Sequence, residues 1–237
     1  MRDAALITGA AKRIGRAIAL ALAERGYDIA LHYNRSRDAA AAAAEEIRAK
    51  GVRCELLQAN LADADAVRQL VQRAMEALPD CCVLVNNASI FERAPLAEMS
   101  EDLLDRTMAI NFRAPLVLSR AFAARRQRGS IVNILDTKIE GWFTPYFAYT
   151  LSKKALADFT LLAAKALAPG IRVNGVAPGL ILPPPGESEE YLQRLAQRIP
   201  ARRHGGPADI ASAVLYLLDS EFVTGQVIFA DGGERLT

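Results

Sequence analysis

Apolar residues along the chain alternate between short unbroken runs and longer stretches of helical period. Ala4-Ala-Leu-Ile-Thr8 is a short apolar run of the kind that forms a buried strand, and the amphipathic stretch Arg16–Arg25, stopped by Gly26, predicts a helix. The alternation then repeats: strand Asp28–Tyr33, alanine-faced helix Asp38–Lys50 ending at Gly51, strand Arg53–Gln58, and a capped helix Asp63–Ala77. A fourth strand is expected over Val83–Ser89, one long helix over Ser100–Ala123, a fifth strand over Ser130–Leu135, and a helix opening near Tyr149. Strand Ile171–Ala177, helix Pro207–Leu218 and strand Gln226–Ala230 complete the pattern. Seven strands alternating with helices predict a single α/β domain over 1–237, a doubly wound parallel sheet with helices on both faces. The stretch 180–203 departs from the pattern. Pro183, Pro184, Pro185 and Gly186 precede a polar helical segment, Ser188–Arg198, and the whole reads as a lid or substrate loop.

Composition narrows the classes. The 237 residues suit one α/β domain, and 51% hydrophobic content supplies a core with no long linker to divide it. A net charge of +2 is too small to argue for nucleic acid or an acidic membrane. No run approaches the roughly 18 apolar residues of a membrane helix. The opening Met-Arg-Asp leads at once into an apolar strand, which fits no secretory signal. Three cysteines (Cys54, Cys81, Cys82) and two histidines lack metal-ligand spacing, so neither disulfides nor a metal are expected, and a cytoplasmic setting is.

Candidate chemistry gathers at the carboxyl ends of the expected strands, where ligands bind in open parallel sheets. Thr8-Gly-Ala-Ala-Lys-Arg-Ile-Gly15 joins the first strand to the first helix, so Gly9 allows a tight turn and Gly15 lets backbone approach a phosphate at the helix N-terminus. After the second strand the chain reads Asn34-Arg35-Ser36-Arg37, with no carboxylate before Asp38. An arginine and a hydroxyl suit a 2′-phosphate, so NADPH is expected rather than NADH. Asn86, Asn87, Ala88 and Ser89 end the fourth strand, and Phe91 beyond them is an aromatic able to stack on a flat ring. Asn111 is an amide inside an apolar helical stripe, which calls for a reason. Asp136 stands at the end of the fifth strand. Tyr149 and Lys153 share a helical face, where an ammonium beside a phenol would favour the phenolate and ease proton transfer.

In order and spacing, Thr8-Gly9-x-x-x-Arg13-x-Gly15, Asn86-Asn87-Ala88, Asn111, Tyr149-x-x-x-Lys153, Pro178-Gly179 and Thr224-Gly225-Gln226…Asp231-Gly232-Gly233 resemble the short-chain dehydrogenase/reductase family across essentially the whole chain. The resemblance implies a Rossmann fold in which Tyr149 donates a proton, Lys153 lowers its pKa and holds the nicotinamide ribose, and Asn111 holds a relay water. It also implies a cofactor site of Gly9, Arg13, Ile14, Gly15, His32, Asn34, Arg35, Ser36, Asn60, Leu61, Asn87, Ala88, Ser89, Tyr149, Lys153, Pro178 and Gly179. Two departures from the family pattern narrow the choice: Arg13 replaces a glycine, and Asp136 replaces the catalytic serine. Asn60 replaces a common aspartate, at the expected adenine contact.

A carboxylate repels a developing oxyanion but suits protonation on nitrogen. With His32-Tyr-Asn-Arg-Ser36, Asn87-Ala-Ser-x-Phe91 and Tyr146-x-x-Tyr149, Asp136 makes the chain similar to the pteridine reductases and dihydromonapterin/dihydrofolate reductases of that family. That similarity implies Phe91 against a pterin, with Arg13, Ser89, Asp136, Tyr146 and Tyr149 completing a substrate site, and hydride from NADPH reducing a C=N bond. The alternatives are an NADPH-dependent carbonyl reductase acting on 3-oxoacyl thioesters or another ketone, and a silent NADPH-binding sensor. Family members are commonly tetramers, so a homotetramer built through the helices beginning near Ser100 and Tyr149 is expected.

Overall fold

The computed structural model describes residues 2–184 and 186–237, so Pro185 of the triple proline lies outside the described residues. Strands β1 (Ala4–Ile7), β2 (Asp28–Tyr33), β3 (Cys54–Gln58), β4 (Cys81–Asn86), β5 (Gly129–Ile134), β6 (Ile171–Pro178) and β7 (Val227–Ala230) form one parallel sheet in the order β3-β2-β1-β4-β5-β6-β7. The helices are α1 (Arg13–Glu24), α2 (Arg37–Arg48), α3 (Ala64–Ala77), α4 (Glu101–Met108), α5 (Ala114–Ala123), α6 (Phe147–Leu167), α7 (Glu189–Ala196) and α8 (Pro207–Asp219).

Strand residues alternate between two cores. Ala5 and Ile7 of β1 pack with Ile18, Ala44 and Val214 from α1, α2 and α8, while Ala4 and Leu6 face Leu70, Leu118 and Ala163 from α3, α5 and α6. Period two in the strands therefore places apolar side chains on both faces, which is why β1 reads as an unbroken apolar run. Side chains cap three of the helix starts. Asp63 accepts from Asp65 N and Ala66 N at the start of α3, Ser100 from Leu103 N before α4, and Ser188 from Tyr191 N before α7. The order reverses between β1 and β4, so a crevice opens at their carboxyl ends.

Three expected elements differ. The long helix over Ser100–Ala123 is broken by a π-helical turn, Ala109–Arg113, centred on Asn111. Pro115, in the first turn of α5, has no N–H with which to continue the α-helical ladder across the joint. β4 ends at Asn86 rather than Ser89, because Asn87 turns away to bond the loop after β1. α1 begins at Arg13 rather than Arg16, so Arg13 and Ile14 lie in its first turn.

Candidate active site

The turn after β1 is held by side chains from three strands. Thr8 Oγ1 accepts from Asn87 N (2.9 Å) and Ala88 N (3.0 Å), and Asn87 Nδ2 donates to Thr8 O (2.8 Å) and Gly9 O (3.1 Å). Gly9 N donates to His32 Nδ1 (3.0 Å), which leaves the His32 Nε2–H to donate to Ala59 O (3.1 Å). Burial pulls the His32 pKa down to about 4, so the ring is neutral. With both nitrogens engaged and only 2% of the residue exposed, His32 braces the turn from beneath; the expected direct contact with a cofactor is corrected to this. A Cβ at Gly15 would lie within 2.5 Å of Asn87 Nδ2 and nearer still to Gly9 O, so only glycine lets α1 start this close to the turn. Arg13, where the family pattern has glycine, takes a left-handed φ of 54°. Its guanidinium donates to Pro183 O (3.1 Å), tying the glycine turn to the 180–203 loop.

Asn34 and Arg35 are exposed beyond β2, and Ser36 stands before α2 without using its hydroxyl as a cap. This arrangement leaves a guanidinium and a hydroxyl available at the strand's carboxyl end. Asn60 is exposed and turns its amide oxygen to Ala62 N (3.1 Å), while Leu61 is buried. Ser89 is exposed, and Ile14 and Ala88 are half-buried at the crevice. Pro178 is buried at the end of β6, and Gly179 N donates to Ala230 O (3.2 Å).

Asp136, Tyr149 and Lys153 meet as one group. Tyr149 OH donates to Asp136 Oδ2 (2.6 Å), and Asp136 Oδ1 accepts from Lys138 N (2.8 Å). Lys153 Nζ donates to Ile134 O (2.8 Å) and lies 5.6 Å from the Tyr149 ring centre. Burial lowers the Lys153 pKa to about 8, against an opposing pull from Asp136. Burial raises the Asp136 pKa, with the bonds from Tyr149 and Lys138 N and the charge of Lys153 in partial opposition. Tyr149 is corrected outright. Burial and then the Asp136 carboxylate push its phenol well above the ordinary value, because the neighbour at hydrogen-bonding distance is an anion while the ammonium turns to a carbonyl. Tyr149 is therefore a protonated phenol at neutral pH, able to give a proton but disinclined to sit as phenolate.

Aromatic rings enclose this group. Phe91 stacks on Tyr146 (centroids 4.0 Å apart, planes 9°) and meets Tyr149 edge-on (4.6 Å, 82°), and Phe143 lies on Tyr146 at 5.1 Å. Asn111 connects the rings to the helix. Its Oδ1 accepts from Ile90 N (2.9 Å), and its Nδ2 donates to Ile90 O (3.0 Å) and Ser152 Oγ (3.1 Å), whose hydroxyl donates to Tyr149 O (2.7 Å). The buried amide thus clips the loop that carries Ser89 and Phe91 to α6 at Ser152. Thr8 and Ser152 were missed as site-builders: Thr8 stands inside the glycine motif, but nothing in the spacing of Ser152 marks it. Among the described residues, no cluster of His, Cys, Asp or Glu is arranged to hold a metal, and no helix is long and apolar enough to cross a membrane.

Comparison with known proteins adds four findings. The profile of a family described as enoyl-(acyl carrier protein) reductase matches residues 9–234. A 3-oxoacyl-[acyl-carrier-protein] reductase, FabG, of Staphylococcus epidermidis is 37% identical over 243 residues, covering 98% of this chain and 99% of its own length. The crystal structure of FolM alternative dihydrofolate reductase 1 from Brucella suis, in complex with NADP, superposes with a TM-score of 0.95 at 36% identity, covering 99% of this chain and 96% of that one. A blue fluorescent protein from a metagenomic library, in complex with NADPH, gives a TM-score of 0.91 at 38% identity over 98% of this chain and 97% of that one.

Proposed function

The chain belongs to the short-chain dehydrogenase/reductase family, and from that premise we propose that it is an NADPH-dependent reductase of a pterin C=N bond. At the coarser level it is an NADP-dependent oxidoreductase of this family. The residues fit NADPH: a glycine turn that a Cβ would fill, the amino end of α1 beside it, and Arg35 with Ser36 at the end of β2 for the 2′-phosphate. When bound, NADPH supplies the hydride.

The observation that carries the pterin reading is the Tyr149–Asp136 hydrogen bond at 2.6 Å. Reduction of a C=N bond adds hydride to carbon and a proton to nitrogen. The Tyr149 O–H breaks as the N–H forms, and Asp136, the charged acceptor of that O–H, takes up a proton from solvent and passes it to the phenol oxygen. Burial eases that uptake by raising the carboxyl's pKa. A ketone would instead place growing negative charge on oxygen beside this carboxyl, which opposes reaction whenever Asp136 is ionised. Phe91 supplies a flat apolar surface at the edge of Tyr149, suited to a planar heterocycle. We assign Arg13 and Ser89 to the cofactor phosphates and the pterin edge, and Tyr146 to the ring stack it forms with Phe91. The similarity to FolM supports this reading.

Similarity to FabG favours a second reading, reduction of a 3-oxoacyl thioester. NADPH oxidation measured with dihydromonapterin, dihydrobiopterin, dihydrofolate and a 3-oxoacyl thioester separates the two. Turnover of a dihydropterin is expected, and turnover of the thioester alone would overturn the pterin reading. Asp136→Ser should depress dihydropterin turnover; a rise in ketone reduction in that variant would count for the second reading. Leu151, Leu161 and Leu162 lie exposed on α6, which supports assembly as a homotetramer through that helix.

A further inference from the structure

Asp136 caps a short 3-10 turn, Thr137–Glu140, and three side-chain ties join that turn to the last residues of the chain. Thr137 Oγ1 donates to Asp231 Oδ2 (2.9 Å), Lys138 Nζ pairs with Glu234 Oε1 (2.5 Å), and Glu140 pairs with Arg235 (3.3 Å). Asp231 is itself fixed, accepting from Gly233 N (2.9 Å) at Oδ1 and Arg235 N (3.0 Å) at Oδ2. Burial acts to raise the Asp231 pKa, but these backbone donors and the Thr137 hydroxyl together hold it below the usual carboxylate value. It is an ionised acceptor, so the Thr137 hydroxyl must be the donor. Thr137 is 4% exposed and Asp231 7%, so water competes little for this bond.

Gly179 makes the contact possible. A Cβ there would fall 2.7 Å from Asp231 Cα and 2.8 Å from Glu234 Oε2, so a side chain would drive the C-terminal segment off the end of β6. The glycine of the Pro178-Gly179 pair thus serves the closing Asp231-Gly232-Gly233 motif.

We propose that Thr137 and Asp231 are positioning residues for Asp136, and that the C-terminal segment thereby sets the geometry of proton delivery. Asp136 is gripped at two points, Lys138 N on one oxygen and the Tyr149 hydroxyl on the other. Lys138 N belongs to the tied turn, whereas Tyr149 belongs to α6. Releasing Thr137 from Asp231 lets the turn move with its grip on Oδ1, and the carboxyl rotates away from Tyr149. This inference rests on Asp136 acting in proton delivery.

The test is Thr137→Val, which removes the hydroxyl at nearly constant volume, beside Thr137→Ser, which restores it, and Asp231→Asn, which sets an amide among three donors. Small misplacement of a reacting group costs up to about 100-fold, so kcat for the dihydropterin should fall ~10-fold or more in Thr137→Val and Asp231→Asn. NADPH affinity should stay within about twofold, the pH profile of kcat should shift, and Thr137→Ser should recover most of the rate. Wild-type kcat and pH profile in Thr137→Val would overturn the proposal, as would parallel losses of kcat and NADPH binding that track a fall in Tm. Asp136→Asn is the control. If it lowers kcat while Thr137→Val and Asp231→Asn do not, only the positioning role fails; if it changes nothing, the role of Asp136 fails and this inference with it.

Discussion

Replacing Tyr149 with Phe removes one oxygen and tests the chemistry, the buried hydrogen bond and the charge state of Asp136 together. Tyr149 is 7% exposed and donates to Asp136 Oδ2 at 2.6 Å. Loss of a positioned proton donor costs ~100- to 10,000-fold in kcat, or about 3–5 kcal/mol of barrier. Loss of a donor to a buried carboxylate costs about 1.5–3 kcal/mol of stability, and in a chain of this size each kcal/mol lowers Tm by about 2–4 °C. The stability loss depends on pH. The Asp136 pKa is raised by burial, so the folded protein holds this proton more tightly than the unfolded chain does. Its contribution is therefore fully present below the unfolded carboxylate pKa of about 3.9 and is lost as pH rises through the folded value. The Tyr149 hydrogen bond opposes that shift, so removing it raises the folded pKa further and enlarges the loss at neutral pH. The Tm gap between the parent and Tyr149→Phe should be small near pH 4 and open toward neutrality. The assays are NADPH oxidation with a dihydropterin, NADPH titration by fluorescence, and thermal unfolding over a pH series. Retention of kcat within about threefold would refute Tyr149 as the proton donor, given the size expected for that role. A Tm gap that ignores pH would refute the account of Asp136 as its charged partner.

Three further outcomes are expected. Asp136→Asn should lose dihydropterin turnover while gaining Tm over the parent as pH rises toward neutrality, since it removes a buried group whose pKa is raised; a lower Tm at neutral pH would contradict that direction. Arg35→Ala should weaken NADPH by roughly 10- to 100-fold, the worth of a charge-assisted phosphate contact, and leave NADH nearly unchanged. Equal weakening of both cofactors, measured by titration, would remove Arg35 from the 2′-phosphate. The basic limb of the kcat profile should fall near pH 8, where the Lys153 ammonium loses its proton; a profile flat well beyond that value would show that the lysine charge is not needed.

What could be read without coordinates was whatever repeats along the chain. Apolar runs and helical periods place every strand of the sheet, because both faces of a parallel sheet must be apolar and the pattern leaves little freedom. Glycine at 9 and 15 was legible for a similar reason, since few other uses of glycine fit a strand-to-helix turn. Less legible are contacts set by a partner far away in sequence. His32 was placed on the cofactor, yet it is spent on Gly9 N and Ala59 O. Asn111 was recognised as out of place in a helix, but the reason is a π turn that aims its amide at Ile90 and Ser152. Tyr149 was given a lowered pKa from its spacing to Lys153, and four residues of helix do fix that spacing. They say nothing about a carboxylate arriving from β5, which sits closer and acts in the opposite direction.

The same distinction bears on substrate. Identity of 37% to a 3-oxoacyl reductase and 36% to an alternative dihydrofolate reductase are nearly equal, so overall identity does not discriminate between the two substrates. On the pterin reading, substrate choice falls on Asp136, Phe91, Tyr146 and Tyr149, which form one connected group of side chains. At those positions a carboxyl in contact with a protonated phenol weighs against an oxyanion and in favour of a basic nitrogen, whatever the overall identity. If the pterin reading holds, exchanging the carboxyl at position 136 for a hydroxyl should move the kinetic ratio of dihydropterin to thioester further than any substitution in the shared turn.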